Sequence, residues 1–300
     1  MLMLKLLQAA ASGVVTGCIY AMIALSVVII YKATEIVNFA GGELVMVGAW
    51  LGLLLVGYFG LPRPVMLLAV PVVLFVLGAA FDRLALGRIA RRRPSRRLEH
   101  ATLVVATIGL SNLLKGAVRG IPYTQEVRRL PPLIGGAPIF VGDVVLERQD
   151  LAIVALAAVV MLALWAFFRY TLPGKALRAT SQNARAAALV GIPVAGMRMS
   201  VWGLAASLSG LAGVMLAPKL LLTPDMGDVV TLAFAAAIIG GFTSLPGCVV
   251  GGAILGIMQN LVGTFIAPQA IAVTPFFVIM LVLLLRPQGL FGDTVGVRRV

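Results

Sequence analysis

The sequence predicts an all-α polytopic membrane protein with about eight to ten transmembrane helices, some of them discontinuous. Two observations lead to this class. First, 61% of the 300 residues are hydrophobic and only 12% are charged, whereas about a quarter of the residues in a soluble domain are charged. Second, uncharged runs recur along the chain at the length of about 20 residues that a helix needs to cross a bilayer. The mean hydropathy of +1.06 agrees with this class.

The formal net charge of +13 is the next constraint on function. In a soluble chain it would indicate nucleic-acid binding, but Lys and Arg also accumulate in the cytoplasmic loops of membrane proteins. We therefore expect contact with membrane lipid and no nucleic acid. Cys18 and Cys248 lie in apolar runs, and the sequence has no nucleotide-hydrolysis, zinc-protease or serine-hydrolase motif. We expect no catalytic residue, no cofactor site and no metal site in this chain.

The first predicted span is long and uncharged, whereas the second is short and preceded by polar residues. Leu6 to Ile30 is uncharged for 25 residues, which exceeds the apolar core of a signal peptide and predicts a first transmembrane helix. The second apolar run, Leu44 to Phe59, is short and follows Asn38, Gly41-Gly42 and Glu43. Lipid-facing helices tolerate such residues poorly. This run is therefore either an ordinary helix with a polar end or a helix whose backbone breaks at the glycines, and we favour the break.

The third and fourth spans flank a basic loop. Val65 to Leu86 is the third span, and seven arginines fall between Arg83 and Arg97. The positive-inside rule makes this loop cytoplasmic. Ala101 to Val118 is a weaker fourth span, because it contains Thr102, Thr107, Ser111, Asn112 and Lys115. Such side chains either line a pathway or bond neighbouring helices.

The second half continues the alternation. The long connection from Gly120 to Asp150 is then outside, Leu151 to Phe168 returns the chain to the cytoplasm, and Met199 to Pro218 crosses outward. Val229 to Leu285 carries no charge in 57 residues. The arginines at 298 and 299 predict a cytoplasmic C-terminus.

One part of the uncharged region is too short to span. Val229 to Ile239 is eleven residues long and precedes a Gly-Thr-Ser-Pro turn at Gly240 to Gly247. Interrupted segments in both halves of a chain are typical of the midplane of a transporter. A turn at the membrane edge is the alternative interpretation.

The basic segment, Arg169 to Arg198, is a polar connection between two spans. It has five basic residues and no acidic one, and it lies on the same predicted side as the arginine-rich loop. Pro173-Gly174 and Gly191-Ile192-Pro193 are start and stop signals that predict one short helix between them. At 100° per residue one face carries Lys175, Arg178, Gln182 and Arg185, and the other carries Leu177, Ala184 and Ala188.

Several stretches of the sequence resemble a known family. They are IYAMIALSVVIIYKATEIVNFAGGELVMVGAWLG, ATIGLS, GKALRATSQNARAAALVGIP, AFAAAIIGGFTSLPGCVVGGAILG and LLLRPQGLFG. In this order they are similar to the permease subunits of ABC importers for branched-chain amino acids, and more closely to the shorter of the two paired permeases. Gly41 is a departure, because the family often has histidine there. Importers of urea, amides and aromatic acids resemble the same pattern, so the substrate stays open between these classes.

The resemblance implies an ABC importer permease fold that spans residues 1–300 as one domain of the bacterial inner membrane. It also implies a second homologous permease as partner in a heterodimer, two cytoplasmic ATPases that bind ATP and Mg, and a periplasmic binding protein. In such importers a cytoplasmic loop docks on the ATPase, and residues 169–198 correspond to it. Its expected coupling residues are Gly174, Arg178, Ala179, Gln182, Asn183, Arg185, Ala187 and Gly191.

Polarity at membrane depth predicts the substrate path. The residues expected there are Asn38, Glu43, Thr107, Ser111, Asn112, Thr243 and Ser244. A zwitterionic amino acid needs donors for its carboxylate and acceptors for its ammonium, and broken helix ends supply both. Alternatively, Glu43 neutralises Lys32.

Two other function classes stay open at this point. A secondary transporter or channel would need no ATPase, so its uptake would depend on an ion gradient. A membrane-embedded enzyme would need paired catalytic groups within the spans, and the scarcity of Asp, Glu and His there argues against one.

Overall fold

The computed structural model describes residues 2–91, 96–121, 124, 126–141 and 144–292, and these residues are almost entirely helical. In chain order the α-helices are α1 (Leu2–Thr34), α2 (Gly41–Leu53), α3 (Arg63–Phe81), α4 (Gly87–Arg91), α5 (Arg96–Arg119), α6 (Arg148–Tyr170), α7 (Leu172–Gln182), α8 (Ala184–Leu189), α9 (Val194–Leu216), α10 (Val230–Gly240), α11 (Leu245–Phe265) and α12 (Thr274–Leu285). Two π-helical turns, Leu54–Tyr58 and Asp82–Leu86, extend α2 and α3, and two 3₁₀ turns, Met226–Val229 and Pro268–Ala272, precede α10 and α12. The all-α prediction is confirmed.

Within these residues seven helices are long and apolar enough to cross a bilayer, and two shorter apolar helices accompany them. The seven long helices are one fewer than the eight to ten spans predicted, and the two shorter apolar helices bring the number of apolar helices in these residues to nine. The predicted outside connection also contains an antiparallel hairpin of β1 (Ile139–Val141) and β2 (Val144–Leu146). Apolar periodicity did not indicate this hairpin, because each strand is only three residues long. Arg92 and Arg93 of the arginine-rich loop, and the C-terminal Arg298 and Arg299, lie outside the described residues.

The predicted break before the second span is present, but it lies earlier than the glycines. Helix α1 ends at Thr34, Glu35 adopts a φ of 56°, and the chain is non-helical as far as Ala40. Gly41 and Gly42 are the first residues of α2. At Gly42 an added Cβ would lie 1.9 Å from the Gly227 carbonyl oxygen, so this glycine permits a close backbone approach rather than the break itself.

By its internal contacts the chain divides into two compact units. Unit 1 comprises 1–28, 134–158 and 231–300, and unit 2 comprises 29–133 and 159–230. In unit 2, α3 packs along α9, and α2 also packs against α9. Added Cβ atoms at Gly48 and Gly213 would lie 2.4 Å and 2.0 Å from backbone atoms of the opposite helix. Small residues thus bring these helices together, as is common in membrane bundles.

Two sets of contacts define opposite ends of unit 2. At one end, Asp82, which follows α3, bonds Arg198 in the first turns of α9. At the other end, Arg119 of α5 bonds Asp225, which follows α9. The arginine-rich loop and the basic segment therefore leave from one end of unit 2. This agrees with the sequence prediction that these two connections share a side of the membrane.

In unit 1, helix α1 packs on α11 through facing glycines. An added Cβ at Gly13 or Gly17 would lie 2.6 Å or 2.8 Å from the α11 backbone, and one at Gly256 would lie 2.4 Å from the α1 backbone. The chain after α12 then returns to the end of α10. The Leu290 and Phe291 amides donate to the carbonyls of residues 239 and 240 at 2.9 Å and 3.0 Å. These bonds satisfy carbonyls that a helix C-terminus leaves without partners.

The turn at 241–244 was predicted to lie either at the midplane or at the edge of the membrane, and its packing indicates which. The predicted short segment exists, since α10 is eleven residues long and ends at Gly240, followed by a non-helical turn with Gly241 at a φ of 99°. The turn packs against residues 288–292, which follow the charged Arg286 at the end of the last span. That neighbour favours the membrane-edge interpretation of this turn over the midplane interpretation.

Candidate functional site

The basic segment begins with a cap that reverses the chain after α6. The Thr171 hydroxyl donates to the Phe167 carbonyl at 2.6 Å and accepts from the Gly174 amide at 3.1 Å. Thr171 is therefore an N-cap of the kind that helices favour. A Cβ added at Gly174 would lie 2.1 Å from the Phe167 carbonyl oxygen. Only glycine fits at this position, where α7 turns back onto the end of α6.

The prediction of one continuous helix in the basic segment is wrong. Asn183 has an extended backbone, with φ −155° and ψ 96°, and it separates α7 from α8. Its side-chain oxygen accepts from the Ala186 amide at 3.0 Å and so caps α8. The break changes the faces. Leu177 is buried as expected, but Ala184 and Ala188 are exposed and Ala187 is buried instead.

The segment ends at a glycine in the left-handed region. Gly191 has a φ of 84°. Its amide donates to the Ala188 carbonyl at 3.0 Å, and the Ile192 amide donates to the Ala187 carbonyl at 3.1 Å. This is the Schellman arrangement that terminates helices. Both α7 and α8 contact α9, so the basic segment forms a capped pair of helices that rests on the next span.

The outward surface of the pair is basic and partly apolar. Lys175, Arg178, Gln182, Asn183 and Arg185 are exposed, and the three cations form no ion pair with a described residue. Leu172, Leu189 and Val190 are also exposed, at 81%, 89% and 76%. Ala179 is half-buried. All eight predicted coupling residues lie on the surface formed by residues 171–191, which we call the α7–α8 ledge, and six of them are exposed or half-buried.

An ion pair next to the ledge joins the start of α9 to the end of α3. Arg198 Nε lies 2.7 Å from Asp82 Oδ1, and the Asp82 side chain is 3% exposed. Asp82 sits in the π-helical turn that continues α3, and Arg198 is the fifth residue of α9. Sequence reasoning missed this pair, because its members are 116 residues apart.

The predicted substrate-path residues of unit 2 meet at the break before α2. Asn38 is buried, and its side-chain oxygen accepts from the Ala40 amide at 3.0 Å. Thr107 of α5 is fully buried, donates to the Val104 carbonyl at 2.8 Å and accepts from the Phe39 amide at 3.4 Å. The structure thus brings Asn38 and Thr107 to the same turn.

A charged cluster lies beside that turn and was not predicted as a group. Its members are Glu43, Lys115, Arg119, Asp225 and Asp228. Lys115 Nζ lies 3.3 Å from Asp225 Oδ1 and 3.6 Å from Asp228 Oδ1, and Arg119 Nη2 lies 2.7 Å from Asp225 Oδ1. Glu43 is 7% exposed and acts electrostatically on Lys115. No ion pair joins Glu43 to Lys32 within the described chain, so the neutralisation of Lys32 by Glu43 is not observed.

The other predicted path residues are placed differently. Ser111 is half-buried and lies on α5 between Thr107 and Lys115, four residues from each. Asn112 is exposed, and its amide donates to the Ile108 carbonyl of its own helix at 3.1 Å. Ser244 caps α11 by accepting from the Gly247 amide at 3.1 Å, and Thr243 precedes it in the turn of unit 1. The structure therefore groups Asn38, Glu43, Thr107 and Ser111 in unit 2.

In the part of the chain that the structure describes, no group of three or more His, Cys, Asp or Glu side chains could hold a metal ion. The two cysteines are both free. The ledge and the charged cluster are both surfaces of unit 2. Their chemistry is that of binding surfaces, with cations and exposed apolar groups on the ledge and charged groups of both signs in the cluster.

The chain was compared with protein families, with curated sequences and with solved structures. Residues 9–285 match the family described as branched-chain amino acid transport system, permease component. The chain is 30% identical to the high-affinity branched-chain amino acid transport system permease protein LivH of Salmonella typhimurium, over 96% of both chains. It is 29% identical to the corresponding protein BraD of Pseudomonas aeruginosa, over 95% of both chains. Among solved structures it is similar to a chain of PsaBC from Streptococcus pneumoniae in complex with Fab, at 15% identity and a TM-score of 0.49, over 92% and 91% of the two chains.

The family match covers all the candidate spans from α1 to α12, and the relatives align with nearly the whole chain. The apolar helices are those of a multi-pass membrane protein. The family consists of transport components, which are not enzymes. The chain therefore belongs to the family of permease components of branched-chain amino acid transport systems.

Proposed function

We propose that this chain forms part of the translocation path of an ATP-driven importer of branched-chain or related amino acids. Residues 1–300 act as one transmembrane permease domain, and the basic segment is its cytoplasmic coupling loop. The α7–α8 ledge is the observation that carries this proposal. It presents exposed leucines and cations that form no ion pair with the described residues, and its two capped helices pack on a span.

The caps on the ledge suit it to transmit force. A conformational change in an ATPase can move the spans only if the connecting element is stiff. Thr171, Asn183 and Gly191 fix both helices by side-chain or backbone hydrogen bonds. The Asp82–Arg198 pair joins the start of α9 to the end of α3. A displacement of the ledge would therefore also move α3 and α9, the two packed spans of unit 2.

The assembly that this function requires contains further subunits. They are a second, homologous permease in a heterodimer, two cytoplasmic ATPases that bind ATP and Mg, and a periplasmic substrate-binding protein. The complex lies in the bacterial inner membrane, with the basic segment and the C-terminus in the cytoplasm. This chain itself binds neither ATP nor a metal. The family match and the basic character of one end of unit 2 support this arrangement.

The substrate path is proposed to pass the turn at 38–43. Asn38, Glu43, Thr107 and Ser111 supply buried or half-buried polar groups there. A polar group buried in a membrane bundle is costly unless it is satisfied, so such groups mark functional positions. Asn112, Thr243 and Ser244 remain predictions, since Asn112 is exposed and bonds its own helix and the other two belong to unit 1.

Charge reversal on the ledge tests the coupling role. In the variant Arg178→Glu/Arg185→Glu, we expect ATP-driven uptake to be lost and copurification with the ATPases to fall, while membrane insertion is unchanged. The physical reason is that both guanidinium groups are exposed and form no ion pair with a residue that the structure describes, so their replacement alters the docking surface and not the fold. Arg129→Glu is the matched control, because Arg129 is exposed on the opposite predicted side. If the ledge variant retains wild-type ATPase in a pull-down, the coupling role is wrong.

A further inference from the structure

Glu43 has a buried side-chain oxygen that accepts no hydrogen bond from the described residues. It lies in the first turn of α2, is 7% exposed, and its Oε2 has no hydrogen-bond donor among the described residues. A negative charge near a helix N-terminus is favourable, but this effect does not supply a donor to that oxygen. Buried charged groups are retained when they are paired or when they bind something.

The neighbouring polar side chains make their hydrogen bonds and ion pairs with groups other than Glu43. The Asn38 side-chain oxygen and the Thr107 hydroxyl are engaged by backbone groups. Lys115 is held by Asp225 and Asp228 at 3.3 Å and 3.6 Å. Each of these partners is already occupied in the structure.

A count of the charges in the cluster also indicates that Glu43 is available to bind a cation. Two cations, Lys115 and Arg119, face three carboxylates, from Glu43, Asp225 and Asp228. Both aspartates form ion pairs with the cations, whereas Glu43, which acts on Lys115 from a longer distance, forms no ion pair with a described residue. An additional positive charge would complete the set, and a primary ammonium group provides both that charge and three donors.

We propose that Glu43 accepts the α-ammonium group of the transported amino acid and so determines specificity. This inference rests on the proposed function. It selects substrates that carry a protonated amine over urea, amides and keto acids, which offer no cation. Lys115, held by its two aspartates, then sets the electrostatic balance of the cluster without contacting the ammonium.

The test uses the assembled transporter in proteoliposomes with radiolabelled leucine. The isosteric variant Glu43→Gln should lower ATP-driven leucine uptake by about tenfold or more, the loss expected for a hydrogen bond to a charged group. Stimulated ATP hydrolysis and the apparent melting temperature should stay near wild-type values. Glu126→Gln is the matched control, because it makes the same chemical change at an exposed carboxylate outside the cluster and should leave uptake within about twofold.

Two further variants separate binding from structural roles. Glu43→Asp keeps the charge and should transport better than Glu43→Gln; the reverse order would show that packing matters more than charge and would overturn the inference. Recovery of uptake in Glu43→Gln/Lys115→Gln would show that Glu43 only balances Lys115, which also overturns it. Wild-type uptake by Glu43→Gln overturns this inference alone. If the wild-type complex shows no ATP-driven leucine uptake, the proposed function fails as well.

Discussion

The Asp82–Arg198 ion pair allows the sharpest prediction about the stability of unit 2. Arg198 Nε lies 2.7 Å from Asp82 Oδ1, and the exposed fractions of the two side chains are 26% and 3%. Arg119 and Asp225 form a second pair at the same distance, 2.7 Å, but their side chains are 56% and 57% exposed. Asp82→Asn and Asp225→Asn therefore make the same chemical change at the same distance from a guanidinium. They differ in burial, and Asp225 also forms an ion pair with Lys115 at 3.3 Å.

The expected magnitudes differ accordingly. Removal of one partner from a buried pair costs about 3–5 kcal/mol, because the remaining charge is left uncompensated. An exposed pair contributes about 0–1 kcal/mol. With a shift of roughly 2–4 °C per kcal/mol for domains of a few hundred residues, Asp82→Asn should lower the apparent melting temperature by about 6 °C or more. Asp225→Asn should lower it by no more than about 4 °C.

The assay is thermal unfolding of the purified protein in detergent, followed by a fluorescent thiol probe or by loss of the monodisperse gel-filtration peak. The double variant Asp82→Leu/Arg198→Met should regain most of the lost stability, since it removes both charges together. Equal melting temperatures for Asp82→Asn and the wild type would refute the claim that this pair holds α3 to α9.

Two predictions concern the α7–α8 ledge. Gly174→Ala should destabilise the ledge and reduce ATP-coupled uptake, because the added Cβ would lie 2.1 Å from a backbone oxygen. Gly196→Ala should be tolerated, because its added Cβ would lie 3.9 Å from the nearest neighbouring atom. ATPase pull-down and uptake are compared for the two variants, and equal behaviour would contradict the prediction. Asn183→Ala should lower the stability of α8 by about 1 kcal/mol, because it removes the N-cap of that helix. The expected result is faster amide hydrogen exchange confined to residues 184–189. Unchanged exchange would argue against the cap.

Most of the fold could be predicted from the sequence because a bilayer imposes long apolar runs and charged loops. The spans α1, α3, α5, α6 and α9 follow directly from those runs, and their predicted limits differ from the observed limits by a few residues. The glycines were harder to interpret. Gly41 and Gly42 indicated a break, but the break lies before them and Gly42 instead permits contact with Gly227. A glycine signals either conformational freedom or close packing, and the sequence does not distinguish the two.

The candidate site was predicted in part. The ends of the ledge were predictable, because Pro173-Gly174 and Gly191 are local signals. The break at Asn183 was not, since asparagine within a helical pattern can also continue the helix, and its capping bond to Ala186 decides the matter. The charged cluster depends on contacts across more than 100 residues, as between Arg119 and Asp225. Local patterns carry no information about such pairs.

The most direct test of the central claim is uptake of labelled leucine by the reconstituted complex under two energy conditions. The complex contains this chain, its permease partner, the ATPases and the binding protein. A permease driven by ATPases should accumulate leucine when ATP is supplied and ion gradients are collapsed by ionophores, and should stop when ATP is withheld. Accumulation that survives without ATP and disappears with the gradients would contradict the account and assign the chain to an ion-coupled transporter.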